Sequence, residues 1–413
     1  MVIFIFIFVI STVIIIQYYK ERRWVNLISV LAAPYLILVT FNNLFIYKYG
    51  FYKISDQVLW MIMIGIVCFY VGTLPVKNSY ALQSSENDNY KSLQKYNIKT
   101  MTVLLYMIDI LGFLKVYQMF LSGAFDVENF EDAEGVVGNG LVGHLLNFSY
   151  SIVPFVFLYW TYHKSKILYL LPVLLLILVT FGTFIKYNVI GLFVTLFMFI
   201  MIYRKSLLRK AIIVLVSITC IVFVSNYAVG FFLRDVEVDS SFYINHLWNY
   251  ASGSLIYDNY IFGYHGVRVG VSIWYKLMTF ICGLPNMFIY KLSGDKIFPH
   301  ERQDDLVISS DGTTSNVVDA IGYIYPSHGY FYEILCFCAV IILIGFFSAL
   351  IYKKGLVKSK RIHSFLAVYI TYFVFFSFFG TFYIVSGPWE ILVYSLIIPQ
   401  LFYSKNKQIC ELE

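Results

Sequence analysis

Charged residues are scarce in this chain. Asp, Glu, Lys and Arg make up 13% of the sequence and hydrophobic residues 60%, whereas a soluble domain carries roughly 25% and 45–50% of these classes. This composition excludes an ordinary soluble domain. The apolar runs are mostly about 20 residues long, as a membrane-crossing helix requires, and they lack the strict alternation of barrel strands. The sequence therefore predicts an all-α polytopic membrane protein.

The motifs of cofactor chemistry are missing as well. The sequence has no CxxC, no HExxH and no glycine pattern of a Walker or dinucleotide-binding loop, so a metal or nucleotide cofactor has no support. Of the six cysteines, only Cys282 falls in a long predicted outer segment, which excludes a disulfide framework there. Cys336 and Cys338 are interpreted as apolar helix packing. We expect no cofactor and no nucleic-acid partner.

The apolar runs predict about eleven or twelve transmembrane helices. The eleven runs are 2–19, 24–46, 57–74, 101–121, 144–162, 167–184, 187–203, 211–230, 329–352, 362–385 and 389–403. They divide the chain into an N-terminal group of spans (1–230), one large loop (231–328) and a C-terminal group of spans with a short tail (329–413). Along this path most of the 30 lysines and arginines lie on one side of the membrane, which the positive-inside rule assigns to the cytoplasm. The large loop is then external or periplasmic. Its moderately apolar stretch, 271–290, is interpreted as an interfacial or re-entrant helix.

The large loop is the only long polar segment and carries three arginines, Arg234, Arg268 and Arg302. Arg234 directly follows the eighth predicted helix, near the headgroup level, where a guanidinium binds phosphate through two hydrogen bonds. Arg268 lies between glycines that let the backbone approach a ligand closely. Such fixed donors suit a lipid-linked diphosphate, because they stabilise a phosphate leaving group. The alternative for each arginine is a snorkelling or solvated interfacial charge.

Two stretches of the loop carry a family resemblance. Residues 313–333 read TTSNVVDAIGYIYPSHGYFYE and residues 249–259 read NYASGSLIYDN. The first resembles the end of the large periplasmic loop of bacterial O-antigen polymerases, the Wzy family of oligosaccharide repeat-unit polymerases. The second is similar to a stretch rich in Tyr, Gly and Ser that the family carries earlier in the same loop. The layout of spans around one dominant outer loop is similar over nearly the whole chain.

The resemblance implies a metal-independent glycosyltransferase of the bacterial inner membrane. It would move a growing glycan from one undecaprenyl diphosphate to the sugar end of another lipid-linked repeat unit, at the periplasmic face. The lipid diphosphate is itself the leaving group, so the reaction needs no nucleotide sugar. The implied partners are these lipid-linked oligosaccharides, membrane lipids and a chain-length regulator protein. The substrate-binding residues would be Arg234, Arg268, Arg302, Asn316 and Tyr323.

The acceptor hydroxyl of such a reaction needs a general base of carboxylate or imidazole type. The nearest candidates in the sequence are His328, Asp319 and Glu333. Each has a structural alternative: a backbone-bonded interfacial histidine, a helix cap for Asp319, and an ion pair or headgroup contact for Glu333. The sequence leaves this choice open.

Two other functions stay open at this stage. A flippase or transporter for the same lipid-linked sugars would be favoured by internal repeats, broken helices and charges that line the spans. An O-antigen ligase, which moves the finished glycan to lipid A, would share the fold and the arginines. Only the identity of the acceptor separates the ligase from the polymerase.

Overall fold

The computed structural model describes residues 1–49, 51, 53–76, 86–121, 140–163, 166–182, 186–213, 217, 221, 224, 247–249, 251–264, 307–308, 314–315, 317–326, 330–356, 364–380 and 386–404. Regular structure in these ranges is almost entirely helical. A short antiparallel ladder pairs β1 (Val307–Ile308) with β2 (Thr314–Ser315).

The chain forms two compact units. The first comprises Met1–Ser79, Ile244–Lys353 and Phe373–Trp389, and the second comprises Tyr80–Tyr243, Lys354–Tyr372 and Glu390–Glu413. The helices of the first unit are α1 (Val2–Glu21), α2 (Leu27–Leu44), α3 (Asp56–Thr73), α9 (Gly253–Asp258), α10 (Ala320–Ile324) and most of α11 (Phe331–Leu356). Those of the second are α4 (Glu86–Gln94), α5 (Ile98–Leu121), α6 (Gly140–Tyr162), α7 (Leu171–Phe181) and α8 (Lys186–Tyr203). Both units take residues from α12 (Ser364–Phe376) and α13 (Ser386–Leu401).

Within the described ranges, six helices are long and apolar enough to cross a membrane: α1, α2 with the turn after it, α3, α5, α6 and α11. Each coincides with a predicted apolar run. Shorter apolar helices lie in four more of the predicted runs, at Ile167–Phe181, Val189–Met201, Ala367–Phe376 and Gly387–Ile398. The prediction of an all-α membrane protein is confirmed. The number of spans stays a prediction, since the predicted run 211–230 lies mostly outside the described residues.

Local sequence sets where the early helices begin. The Asn26 side chain accepts a hydrogen bond from the backbone N–H of Ser29 at 2.9 Å and starts α2. Ser55 does the same for Val58 at the start of α3. Both are residues that favour the N-cap position, because their side-chain oxygens satisfy an amide that has no partner inside the helix.

In the first unit, α1, α2 and α3 pack against one another, and α3 meets α11 at two glycines. A side chain at Gly72 would collide with the backbone oxygen of Ile342, and one at Gly345 with that of Phe69. The two backbones therefore touch. Small residues at such a crossing are typical of membrane helices, which associate through close packing because lipid supplies no hydrophobic drive between them.

In the second unit, α5 runs along α6 and α7. Gly112 of α5 leaves space that the Val179 and Leu146 side chains fill. At one end of this group the short polar helix α4 packs on α6, where the Tyr90 hydroxyl lies 3.0 Å from Nε2 of His163. Lys164 and Lys166, which are predicted to be cytoplasmic, follow this end of α6 in the sequence. The other end of α6, around His144, is therefore predicted to face outward.

Candidate functional site

The short helix α10 is a deeply buried part of the predicted loop. Ala320, Ile321, Tyr323 and Ile324 are between 1% and 5% exposed. The backbone N–H of Ala320 donates to the carbonyl of Ser377 at 2.9 Å, and the Ile321 side chain fills the space above Gly65 of α3. The end of the predicted loop thus enters the helical unit, between α3 and the end of α12.

Asp319 caps α10. It is fully buried, and its Oδ1 accepts a hydrogen bond from the backbone N–H of Gly322. This is the geometry of the helix-cap alternative for Asp319, because the N-cap side chain binds an amide three residues on. Its role as a catalytic base stays a prediction.

A second buried carboxylate reaches the same glycine. Asp258, the last residue of α9, is 0% exposed, and its carboxylate lies so close to Gly322 that a methyl group there would sit 2.6 Å from Cγ. Position 322 therefore requires glycine, because a side chain there would overlap the Asp258 carboxylate. Two carboxylates from segments more than sixty residues apart in sequence meet at one turn of α10.

The stretch around α9 is tied to the rest of the first unit by polar side chains. Asn259 accepts a hydrogen bond from the backbone N–H of Ser55 at 2.6 Å and donates to the carbonyl of Lys53 at 3.2 Å. The Ser254 hydroxyl binds the carbonyl of Phe378. Buried polar groups of this kind must be hydrogen-bonded to be tolerated, so these bonds fix α9 in one position.

An aromatic contact joins the segment that follows α9 to the residue that follows α10. The ring of Tyr325, directly after α10, meets the edge of Phe262 at 5.1 Å between centroids and that of Phe337 of α11 at 5.2 Å. Burial raises the pKa of the Tyr325 hydroxyl, so it stays protonated at neutral pH. The stretches that carry the family resemblance, 249–259 and 313–333, therefore pack together.

The other predicted site residues fall into two groups. Tyr323 lies in α10 and is 1% exposed, and Glu333 lies in the first turn of α11 and is 2% exposed. Arg234, Arg268, Arg302, Asn316 and His328 lie outside the described residues. The structure thus brings Asp319 and Tyr323 together on α10, and the diphosphate site stays a prediction.

A polar cluster in the second unit was not predicted from the sequence. Nδ1 of His144, on α6, lies 2.8 Å from Oε1 of Glu390, on α13. The side-chain amide of Asn147 donates to Oε2 of the same carboxylate at 2.9 Å, and the Tyr394 hydroxyl donates to Oε1 at 2.7 Å. The Glu390 side chain is 8% exposed and that of His144 39%. The sequence did contain one signal for this cluster, Glu390 itself, because an ionisable residue inside a predicted span is a candidate functional residue by default.

Across the described ranges, no three His, Cys, Asp or Glu side chains are grouped so that they could hold a metal ion. Comparison with known proteins adds no relative, since no family model, no curated protein and no solved structure matches the chain.

Proposed function

We propose that this chain is a membrane glycosyltransferase that polymerises undecaprenyl-diphosphate-linked repeat units at the periplasmic face of the bacterial inner membrane. The observation that carries the proposal is the contact of Asp258 with Gly322. It joins the two stretches that resemble O-antigen polymerases, which are far apart in the sequence. Two matching stretches that pack together support one shared site better than two separate matches do.

In this proposal the buried ends of the loop act as anchors. Hydrogen bonds of Asn259 and Ser254 hold the first stretch, and the Asp319 cap and the Ala320 amide hold the second. A loop tied down at both stretches would present Arg268 and Arg302, which lie between them in the sequence, from a rigid base. Positioning of this kind is what charge stabilisation of a leaving diphosphate requires.

A flippase for the same lipid-linked sugars is the second candidate, because one structural feature favours it. The helices α9 and α10 are only six and five residues long, lie inside the helical unit, and end or begin at buried carboxylates. Short, broken helices with buried charges are also the hallmark of transporter binding sites. An O-antigen ligase shares every feature named here and differs in its acceptor.

The test is the lipopolysaccharide banding pattern of the bacterium that carries the gene. Deletion should leave lipid A core with a single repeat unit, and the wild-type gene should restore the ladder. Arg234→Ala and Arg268→Ala should fail to restore it at equal protein level in the membrane. Loss of all repeat units from the core on deletion would instead point to the flippase or the ligase.

A further inference from the structure

The turn between α1 and α2, in the first unit, carries a cluster of positive charge. Lys20, Arg22 and Arg23 lie at this turn, and Lys353 lies near the end of α11. Glu21 is beside them, and the cations that act on it are Lys353, Arg23 and Lys20. These five residues carry four positive charges and one negative charge, so the cluster attracts anions. The positive-inside rule assigns it to the cytoplasmic side.

Two of these cations hold the turn in place from inside the protein. Nζ of Lys353 donates to the carbonyl of Val76, after the end of α3, and the Arg23 side chain hydrogen-bonds the hydroxyl of Tyr352. That hydroxyl donates to the carbonyl of Val25 at 3.3 Å. The turn is therefore tied to the ends of α3 and α11.

Arg22 differs from these cations because its side chain lies on the outer surface. Its guanidinium lies over the ring of Tyr19, 5.6 Å from the centroid. Nearby, the ring of Trp24 stacks on that of Tyr18 at 4.1 Å between centroids. Tyr19 and Trp24 are 61% and 64% exposed. Exposed Tyr and Trp rings at helix ends are typical of the headgroup level of a membrane, so Arg22 lies at the depth of lipid phosphates.

The backbone of Arg22 also points to a role for its side chain. Its φ of 54° and ψ of 32° lie in the left-handed region, and among the described residues it is the one non-glycine residue with a positive φ. Glycine is the usual residue where a helix ends in this way, because a Cβ makes the conformation costly. An unfavourable backbone conformation that is nevertheless kept suggests a function.

An apolar stripe on α1 leads up to the same point. Phe4, Phe8, Ile15 and Tyr19 are all exposed, and their spacing places them on one face of the helix. The rise from Phe8 to Tyr19 is about 16 Å, which matches one leaflet of a hydrocarbon core of about 30 Å. An acyl chain that lies along this stripe has its headgroup at Arg22.

We propose that Arg22 and the cations around it form a binding site for an anionic glycerophospholipid in the leaflet on this side of the membrane. A guanidinium binds a phosphate through two hydrogen bonds, and Lys20, Arg23 and Lys353 add the positive potential that favours a lipid with net negative charge. A zwitterionic lipid also carries a cation, which this potential repels. The bound lipid stabilises the first unit, because it binds the folded turn. This site does not depend on the proposed glycosyl transfer.

The experiment uses the purified full-length chain in detergent and measures Tm while lipid is added. Dioleoylphosphatidylglycerol should raise Tm in a saturable manner, whereas dioleoylphosphatidylcholine and inorganic phosphate at the same concentrations should not. Arg22→Gly should weaken the apparent affinity for phosphatidylglycerol by at least about tenfold, because a charge-assisted hydrogen bond is lost. Without lipid the same variant should keep the Tm of the wild type, since glycine suits the left-handed conformation. Arg22→Asn, which also tolerates this conformation, repeats the test without glycine.

The matched control is Arg209→Ala, because Arg209 is an exposed arginine of the second unit that is predicted to lie on the same side of the membrane. This variant loses the same charge and should keep the affinity for phosphatidylglycerol within about twofold. The inference is overturned if both Arg22 variants respond to phosphatidylglycerol as the wild type does. It is equally overturned if phosphatidylcholine stabilises the wild type as well as phosphatidylglycerol does, or if inorganic phosphate alone reproduces the effect.

Discussion

Replacement of Gly322 by alanine tests the contact on which the proposed site depends. The new methyl group would lie 2.6 Å from Cγ and 2.7 Å from Oδ2 of Asp258, where ordinary contact begins at 3.4 Å. Both partners are fully enclosed, because Asp258 is 0% exposed and the neighbours of Gly322 in α10 are buried. Either the Asp258 side chain must turn within this enclosed space, or the ends of α9 and α10 must move apart by several tenths of an ångström.

The cost of such overpacking is about 1–3 kcal/mol. For a folded unit of this size, this loss of stability lowers Tm by roughly 2–12 °C, because each kcal/mol corresponds to roughly 2–4 °C. The assay is the fraction of purified protein in detergent that stays monodisperse after heating. The same variant should weaken the lipopolysaccharide ladder, because the two loop anchors no longer fit together.

A double-mutant cycle provides the control for this prediction. In an Asp258→Ala background the carboxylate is gone, and Gly322→Ala should then cost much less than in the wild type. The coupling between the two changes should be about 0.5–3 kcal/mol. Equal stability of Gly322→Ala and the wild type, or strictly additive effects, would refute the close contact.

Three further predictions concern packing in the first unit. Gly72→Ala should lower Tm more than Gly65→Ala, because the first methyl group meets a backbone oxygen of α11 and the second meets only a side chain, that of Ile321; the same heating assay compares them. Asn259→Ala should destabilise by about 1–3 kcal/mol, since two backbone groups before α3 lose their partner; a smaller loss in chemical unfolding would contradict this. Copper phenanthroline should oxidise Cys68 and Cys338 to a disulfide, because their thiols are in hydrogen-bonding contact. The cross-link is detected on a non-reducing gel after the chain has been cleaved between the two cysteines, and serine at either position should abolish it.

The class of the protein was predictable because lipid imposes a strong constraint on composition. A bilayer requires runs of about 20 apolar residues, and those runs gave helix positions close to the observed ones. The run predicted from Gln57 became α3, which starts at Asp56, and the run predicted from Met101 became α5, which starts at Ile98. The predicted and observed helix ends differ by a few residues, because caps and first turns contain polar residues that a hydropathy pattern does not include in the helix.

The candidate sites were only partly predictable. The five residues of α10 are too few for a helical period to show in the sequence, although the capping role of Asp319 was one of its two predicted interpretations. The pair of His144 and Glu390 joins residues 246 positions apart, and a single sequence carries no signal of such a contact. Local patterns predict elements, whereas a site assembled from distant helices depends on packing that only the fold reveals.

The measurement that tests the central claim most directly is product analysis with the purified protein in lipid vesicles. The vesicles would contain the undecaprenyl-diphosphate-linked repeat unit as the sole substrate, accessible from both sides. The account predicts a series of longer lipid-linked glycans, with one undecaprenyl diphosphate released for each bond formed and with little of either product from Arg268→Ala. Unchanged glycan length, with the repeat unit merely moved across the bilayer, would contradict a polymerase and establish the flippase.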